Sequence, residues 1–568
     1  MAARRQDTRS SPATPEDLRD DEGRQLAMPS AAEVAPTLAA TGSRALGAYY
    51  TPSIPAALLT QWALRQDGDR ILEPSMGDGS FLGALRAEGE RRGLQATVWG
   101  VELAEDTYGS TVASGVIDPQ FAIRSDFLAV EPFEVDAVLG NPPYVRLRHL
   151  PRAEARRGQQ AAEATLGHEM DPSGSIWMPF VLHATRFLAR GGRLALVLPF
   201  DLTYVRYARP LWAHLMRHFG TLKVVRVHER MFPEILQEVV LLLADEYGGR
   251  TQHVDFEAFH TLEGLRKGVA SISTQLDGDG IIEGDRVFLE ALLPSEARSL
   301  VTSLSDKLVP ARDLVTFNIG YVCGDKRFFH PDEHRIRSFD LPESSLRPSL
   351  TAGRQLRGSG LRASSVADRA QNTPLFLPPG ELSELTAGEK DYINAGEDEG
   401  VSQRYKCRIR DPWYVTPYVR VPDVVLPVFT DRPALVLNDS GLVVSNSLLC
   451  GYLKSGSAES LANRWYTSLT VLQIEQEVHS LGGGVMVMVP REAGSINLVR
   501  VVNDPAHDHL DQISQHLQDG RVDDAFRAGD DEVLRRNLGL TLGDVESIEG
   551  AGRELRWWRN GAQSSRST

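Results

Sequence analysis

The chain is poor in cysteine. Its 568 residues hold three, Cys323, Cys407 and Cys450, far apart and with no Cys-x-x-Cys pair. That excludes a disulfide framework and a thiolate zinc cluster, and fits a reducing cytosol. Long apolar runs are also missing. None approaches the ~18 residues that cross a bilayer, and Arg4 and Arg5 are not followed by the apolar core of a secretory signal. The expectation is a cytoplasmic protein with no membrane partner. His214 and His218 stand four apart, but no glutamate follows the first and no third ligand lies nearby, so no metal site is expected. Lysine is scarce, with seven against 54 arginines, and the net charge is −15. Net charge governs solubility and steering, so a local arginine groove can still bind phosphates. A GC-rich coding bias accounts for most of the arginine excess. No internal repeat is visible.

Hydrophobic content of 42% with 24% charged residues is that of a globular protein, and the length exceeds one ordinary core. Residues 1–44 lack periodicity and read as a disordered tail. Strands and helices then alternate from residue 45 to 247. Arg70 to Glu73, residues 96–102, 121–124 and 135–140 read as strands with helices between them. This rhythm predicts a doubly wound parallel sheet. A fifth strand is expected at 193–199. Two more, at 223–228 and 239–244, suggest an antiparallel pair at the sheet edge. The arginine-studded stretch from Tyr144 to Ser173 is too long for an ordinary connection and reads as functional or mobile. Residues 248–294 form a connecting segment of unassigned structure. Residues 295–560 have short strands, many turns and arginines beside aromatics, which predicts a second, α+β domain. Residues 561–568 form a second tail.

The chemistry collects at strand ends, where open α/β sheets place their ligand crevice. After the first strand comes Glu73-Pro74-Ser75-Met76-Gly77-Asp78-Gly79-Ser80. Its glycines let a ligand approach the backbone, and the following helix presents free N–H groups. The spacing is not that of a dinucleotide loop. Glu102 ends the second strand, where a carboxylate can take both hydroxyls of a ribose. Asp126-Phe127 follows the third, where an acid can accept from an adenine amino group while the ring packs on the base. Each alone also reads as a turn acid, cap or core aromatic. Together, acids after three successive strands describe a nucleoside pocket.

Asn141-Pro142-Pro143-Tyr144 follows the fourth strand. An aromatic exocyclic amine is a poor nucleophile because its lone pair is delocalised into the ring. The Asn141 side-chain oxygen and the Pro142 carbonyl can accept its two N–H bonds and aim that lone pair at an electrophilic methyl group. Prolines stiffen the loop, and Tyr144 offers a ring for stacking.

In this order, Gly47-Ala48-Tyr49-Tyr50-Thr51-Pro52, Glu73 to Phe81, Glu102, Asp126-Phe127 and Asn141 to Tyr144 resemble the gamma-class DNA adenine N6-methyltransferases of type II restriction–modification systems. The resemblance implies a Rossmann-like methyltransferase sheet followed by a target-recognition domain. It implies S-adenosylmethionine as cofactor, double-stranded DNA as substrate, a separate restriction endonuclease as functional partner, a monomer, and a nucleoid-associated location. Carried over by position, Tyr50, Thr51, Glu73, Ser75, Gly77, Glu102, Asp126 and Phe127 bind the donor. Asn141, Pro142 and Tyr144 act on a base flipped out of the duplex. Arg146, Arg148, Arg354, Arg357 and Arg408 are the DNA-binding candidates. In the second domain, Arg362, Arg404 and Arg410 with Trp413-Tyr414 extend that basic and aromatic surface. Some relatives pack a second aromatic on the flipped base; Phe232 is the substitute here. Protein-glutamine and RNA adenine methyltransferases are competing enzyme readings. A non-catalytic DNA-recognition subunit is the alternative from another class.

Overall fold

A computed structural model describes residues 52–232, 238–480, 484–500 and 507–561. These form two units. One takes residues 52–294 together with the C-terminal residues from 557. The other takes 295–556.

The first unit is built on a nine-stranded mixed sheet. Its strands are β1 (Arg70–Glu73), β2 (Thr97–Glu102), β3 (Ala122–Arg124), β4 (Val135–Gly140), β5 (Leu188–Pro199), β6 (Phe219–Val227), β7 (Val239–Tyr247), β8 (His253–Phe259) and β9 (Ile272–Asp277). They lie in the order β3-β2-β1-β4-β5-β7-β6-β8-β9. β3 to β5 are parallel, and the chain order reverses between β1 and β4. That switch point is where an open α/β sheet parts its loops into a crevice. The Rossmann-like sheet is therefore present, and the antiparallel pair β6–β7 with it.

Its position differs from the sequence expectation. β7 inserts between β5 and β6, and the sheet continues through β8 and β9. These last strands come from the connecting segment left without structure. β8 alternates buried Val254, Phe256 and Ala258 with half-exposed Asp255 and Glu257, a period-two pattern only seven residues long. β9 buries Leu276 alone, as an edge strand does, so its sequence carries almost no signal.

Helices α1 (Ser53–Ala63), α2 (Ser80–Arg92), α3 (Glu105–Ala113), α4 (Arg152–Leu166), α5 (Trp177–Thr185) and α6 (Arg209–His218) accompany the sheet. α4 corrects the reading of the arginine-rich stretch, much of which is regular helix. Its buried face is Gly158, Ala161 and Ala162. Small residues supply almost no hydrophobic period, yet they allow close approach: a Cβ at Gly158 would lie 2.8 Å from Ile176 Cδ1. α5 ends at Thr185, and β5 begins at Leu188, five residues ahead of the expected start at 193.

The C-terminal residues close the first unit. The Trp557 ring stacks on His228 at 3.4 Å with a 9° interplanar angle, and His228 Nε2 donates to the Trp557 carbonyl at 2.9 Å. The buried Arg226 donates to Glu238 at 2.8 Å and to the Trp558 carbonyl at 3.2 Å. Its guanidinium lies 4.0 Å from the Phe200 ring centroid. Trp558 is fully enclosed. Trp558→Ala is expected to destabilise this unit by about 3–5 kcal/mol, the usual cost of emptying a buried indole site. A thermal melt followed by near-ultraviolet circular dichroism checks it.

The second unit has a four-stranded antiparallel sheet, Val315–Ile319, Leu448–Leu453, Val424–Pro427 and Val436–Leu437, with short helices and two-residue strands around it. Phe328 stacks on Tyr392 at 4.7 Å and 6°, in a core that also holds Phe329, Phe376 and Tyr414. Trp413 packs on Phe328 at 5.1 Å. Tyr414 is thus a core aromatic and Trp413 is half-buried against that core, not the surface rings expected beside the arginines.

Candidate active site

The loop after β1 crosses the edge of β2. The backbone N–H of Met76 donates to the Val101 carbonyl at 2.9 Å, and that of Gly77 donates to Glu102 Oε2 at 3.1 Å. Glu102 Oε1 accepts from the Ala104 N–H at 2.8 Å. Glu102 therefore ties two turns together while staying half-exposed at the strand end. Gly77 and Gly79 have φ of 49° and 79°, the left-handed region that glycine enters without strain. A Cβ on Gly79 would lie 2.8 Å from Val116 Cγ1, and one on Gly100 would lie 2.7 Å from Met76 Sδ. Thr111 on α3, which carried no sequence signal, donates to the Gly77 carbonyl at 2.6 Å and fixes the loop from behind. Asp78 Oδ1 accepts from Ser80 N at 3.0 Å and Ser80 Oγ at 2.6 Å, which fixes the turn that leads into α2 at its N-cap Gly79.

Glu73 is buried, and its Oε2 has no hydrogen-bond partner among the described residues. Burial first, then the negative charges of Asp78 and Glu102, push its carboxyl well above the usual carboxylate range. An orphaned buried carboxyl costs free energy, and a cationic ligand would offset that cost.

Asp126 caps the turn over Phe127–Ala129: its Oδ1 accepts from Leu128 N at 3.0 Å. Its Oδ2 accepts from Arg157 Nη1 at 2.6 Å. Phe127 departs from expectation. Its ring is 2% exposed and packs on Phe180, His183 and Phe187. In this packing the ring presents no open face to a base.

Asn141 follows β4 directly. Ser75 Oγ donates to the Asn141 carbonyl at 3.1 Å, which joins the loop after β1 to the loop after β4. The Tyr144 hydroxyl lies 2.5 Å from Asn141 Oδ1 and 3.0 Å from the Val197 carbonyl on β5. Tyr144 is 4% exposed. Its ring is turned inward, not presented as a stacking surface. Pro142 is buried and Pro143 half-buried. Phe232 is also buried.

Tyr50 and Thr51 lie outside the described residues. Arg146 is engaged within the unit: it donates to the Ser173 carbonyl at 3.3 Å, lies 3.8 Å from Asp201 and sits over the Tyr207 ring. It braces the loop that follows the tetrapeptide, which weakens its candidacy as a phosphate ligand. Arg148 is exposed. In the second unit Arg354, Arg357 and Arg408 are exposed. Arg362 pairs with Glu459 at 3.3 Å, Arg404 pairs with Asp325, and Arg410 donates to the Val322 and Cys323 carbonyls. Arg362 and Arg404 keep side chains 43% and 40% exposed alongside these ion pairs. No group of three or more His, Cys, Asp or Glu side chains among the described residues could hold a metal ion, and no helix there is long and apolar enough to cross a membrane.

Two family models match the chain. Residues 117–232 match the Eco57I restriction-modification methylase, a span that holds Asp126 and the tetrapeptide. Residues 285–534 match the C-terminal domain of type II methyltransferase M.Eco57I. Among curated relatives, type II methyltransferase M.PaeR7I of Pseudomonas aeruginosa is 26% identical over 72% of this chain and 78% of its own. M.TthHB8I of Thermus thermophilus is 32% identical over 29% of this chain and 37% of its own. Among solved structures, the type IIL restriction-modification enzyme MmeI in complex with DNA is similar in fold. Its TM-score is 0.52 at 11% identity, covering 93% of this chain and 81% of that one. The two family matches and the likeness to M.PaeR7I support a type II restriction–modification DNA methyltransferase.

Proposed function

We propose that the chain transfers a methyl group from S-adenosylmethionine to N6 of an adenine flipped out of duplex DNA at a specific site. The modification would protect host DNA from a separate restriction endonuclease. The observation that carries this reading is the contact between the two loops. Ser75 Oγ on the Asn141 carbonyl sets the donor loop against the amine-binding loop, as direct transfer between two bound substrates needs.

S-adenosylmethionine supplies an electrophilic methyl group on a sulfonium. The residues present fit it. The unpartnered Glu73 carboxyl suits the cationic methionine end, the left-handed turn at Gly77 admits close approach, Glu102 suits the ribose hydroxyls and Asp126 the adenine amine. On the acceptor side, Asn141 Oδ1 and the Pro142 carbonyl accept the two N–H bonds of the target amine and hold its lone pair toward the methyl group. The target amine takes the place of the Tyr144 hydroxyl on Asn141. Tyr144 keeps the Val197 carbonyl as partner, or turns its ring to the base.

The raised Glu73 pKa gives a pH signature. Without donor, burial and then the Asp78 and Glu102 charges favour the neutral carboxyl, so stability is lost as pH rises from the usual carboxylate range through the elevated value. A cationic ligand needs the ionised form. Donor affinity is therefore expected to rise with pH across that window. Glu73→Gln is expected to flatten the profile, weaken donor binding and stabilise the donor-free protein at pH 8. Calorimetric titrations with S-adenosylhomocysteine at several pH values read the first two effects, and thermal melts the third.

Methyl-labelled S-adenosylmethionine offered with duplex DNA, RNA and a protein mixture tests the substrate class. Label in DNA, recovered as N6-methyldeoxyadenosine, is the expected result. Label confined to RNA or protein overturns the reading.

A further inference from the structure

The carboxylate assigned to the donor's adenine is already engaged. Asp126 Oδ1 belongs to the Leu128 N–H, and Oδ2 accepts from Arg157 Nη1 at 2.6 Å. Arg157 belongs to α4, the helix that follows the tetrapeptide. The same helix carries Arg152 and Arg156 with exposed side chains, and Arg148 is exposed just before it. Arg152 and Arg156 are one helical turn apart, so they share a face. α4 is anchored through its small residues, with Gly158 pressed on Ile176 and Leu147, immediately beside Arg157. One helix thus carries both the guanidinium that holds Asp126 and, on an adjoining face, two exposed arginines.

We propose that Arg157 is a latch that couples the donor site to DNA binding. This rests on the donor reading given above. Without donor, Arg157 occupies the Asp126 oxygen that the donor's adenine amine would use. Donor binding displaces it, and the freed guanidinium joins Arg148, Arg152 and Arg156 as a phosphate ligand. The Arg157 side chain is 38% exposed and that of Asp126 13%, so the guanidinium can move into water while the mostly buried carboxylate needs a replacement donor, which the adenine amine supplies. Phosphate contacts by arginine then add to DNA affinity. By linkage, donor strengthens DNA binding by the factor by which DNA strengthens donor binding.

The test uses the full chain and two variants. Arg157→Met keeps the aliphatic stem without donors, and Arg157→Lys keeps the charge. S-adenosylhomocysteine is the probe, titrated with and without a duplex oligonucleotide, and DNA affinity is measured by fluorescence anisotropy with and without it. The wild type is expected to bind DNA several-fold more tightly when the probe is present. Arg157→Met is expected to bind the probe more tightly than wild type in the absence of DNA, and to bind DNA equally with and without it. Arg157→Lys is expected to restore part of the coupling. Weaker or unchanged probe binding by Arg157→Met overturns the latch, because Arg157 would then be supporting Asp126 and not competing for it. Coupling that survives in Arg157→Met overturns it as well. A wild-type chain that binds no S-adenosylhomocysteine overturns the donor reading itself, and the latch with it.

Discussion

Asn141→Ala is expected to lower kcat by about 10²–10³-fold, the usual loss when one preorganised polar group at the reacting centre is removed, and to leave donor affinity unchanged. The amide is not needed to build the loop. Its side-chain oxygen receives the Tyr144 hydroxyl, which has the Val197 carbonyl within 3.0 Å as a second partner. The loop is also held by Ser75 on the Asn141 main-chain carbonyl, a contact that alanine preserves. Losing the Tyr144 contact costs about one net hydrogen bond, ~1 kcal/mol. Single-turnover methylation and S-adenosylhomocysteine calorimetry on the same preparation separate the two quantities. Loss of donor affinity instead would mean that the tetrapeptide is a structural turn.

Glu102→Ala is expected to show the reverse pattern, with donor affinity down by about 10²-fold or more and kcat at saturating donor far less affected. Charge-assisted hydrogen bonds contribute roughly 1.5–3 kcal/mol each, and a ribose diol would make two. Glu102 also receives the Gly77 and Ala104 N–H groups, so alanine loosens the loop that faces the donor. Glu102→Gln keeps an acceptor for one of those N–H groups and is expected to lose less. Equal donor affinity in wild type and Glu102→Ala, by calorimetry, would remove this residue from the donor site. The two variants together dissociate binding from chemistry, which no single structural role would do.

Much of this site was legible because its chemistry sits at strand ends. Glu73, Glu102 and Asn141 each close a short apolar run, and a buried parallel strand is easy to read when it ends on glycine or an acid. What was not legible depended on partners distant in sequence. Nothing near Asp126 announces Arg157, 31 residues later, and nothing near Gly77 announces Thr111. Phe127 read as a base contact because it follows Asp126, yet three rings from α5 and its C-terminal end claim it for the core. The same competition claimed Trp413 and Tyr414. A basic-aromatic stretch looks alike whether its rings face water or a core, and only tertiary packing separates the two. α4 was missed for the opposite reason, since its buried face is made of glycine and alanine. The closing role of Trp557 and Trp558 lies more than 300 residues after His228 and Arg226, beyond any local pattern. It also means that a truncation removing everything after the first unit would strip that unit of its own residues, so point variants are the cleaner probes.

Methylome sequencing of DNA from a methylation-deficient host expressing the chain tests whether the chain methylates adenine N6 in DNA. N6-methyladenine is expected at one recurring sequence, present with the wild-type chain and absent with Asn141→Ala. N4-methylcytosine at that site, unmodified DNA from the host that expresses the wild-type chain, or an undiminished pattern with Asn141→Ala would contradict it.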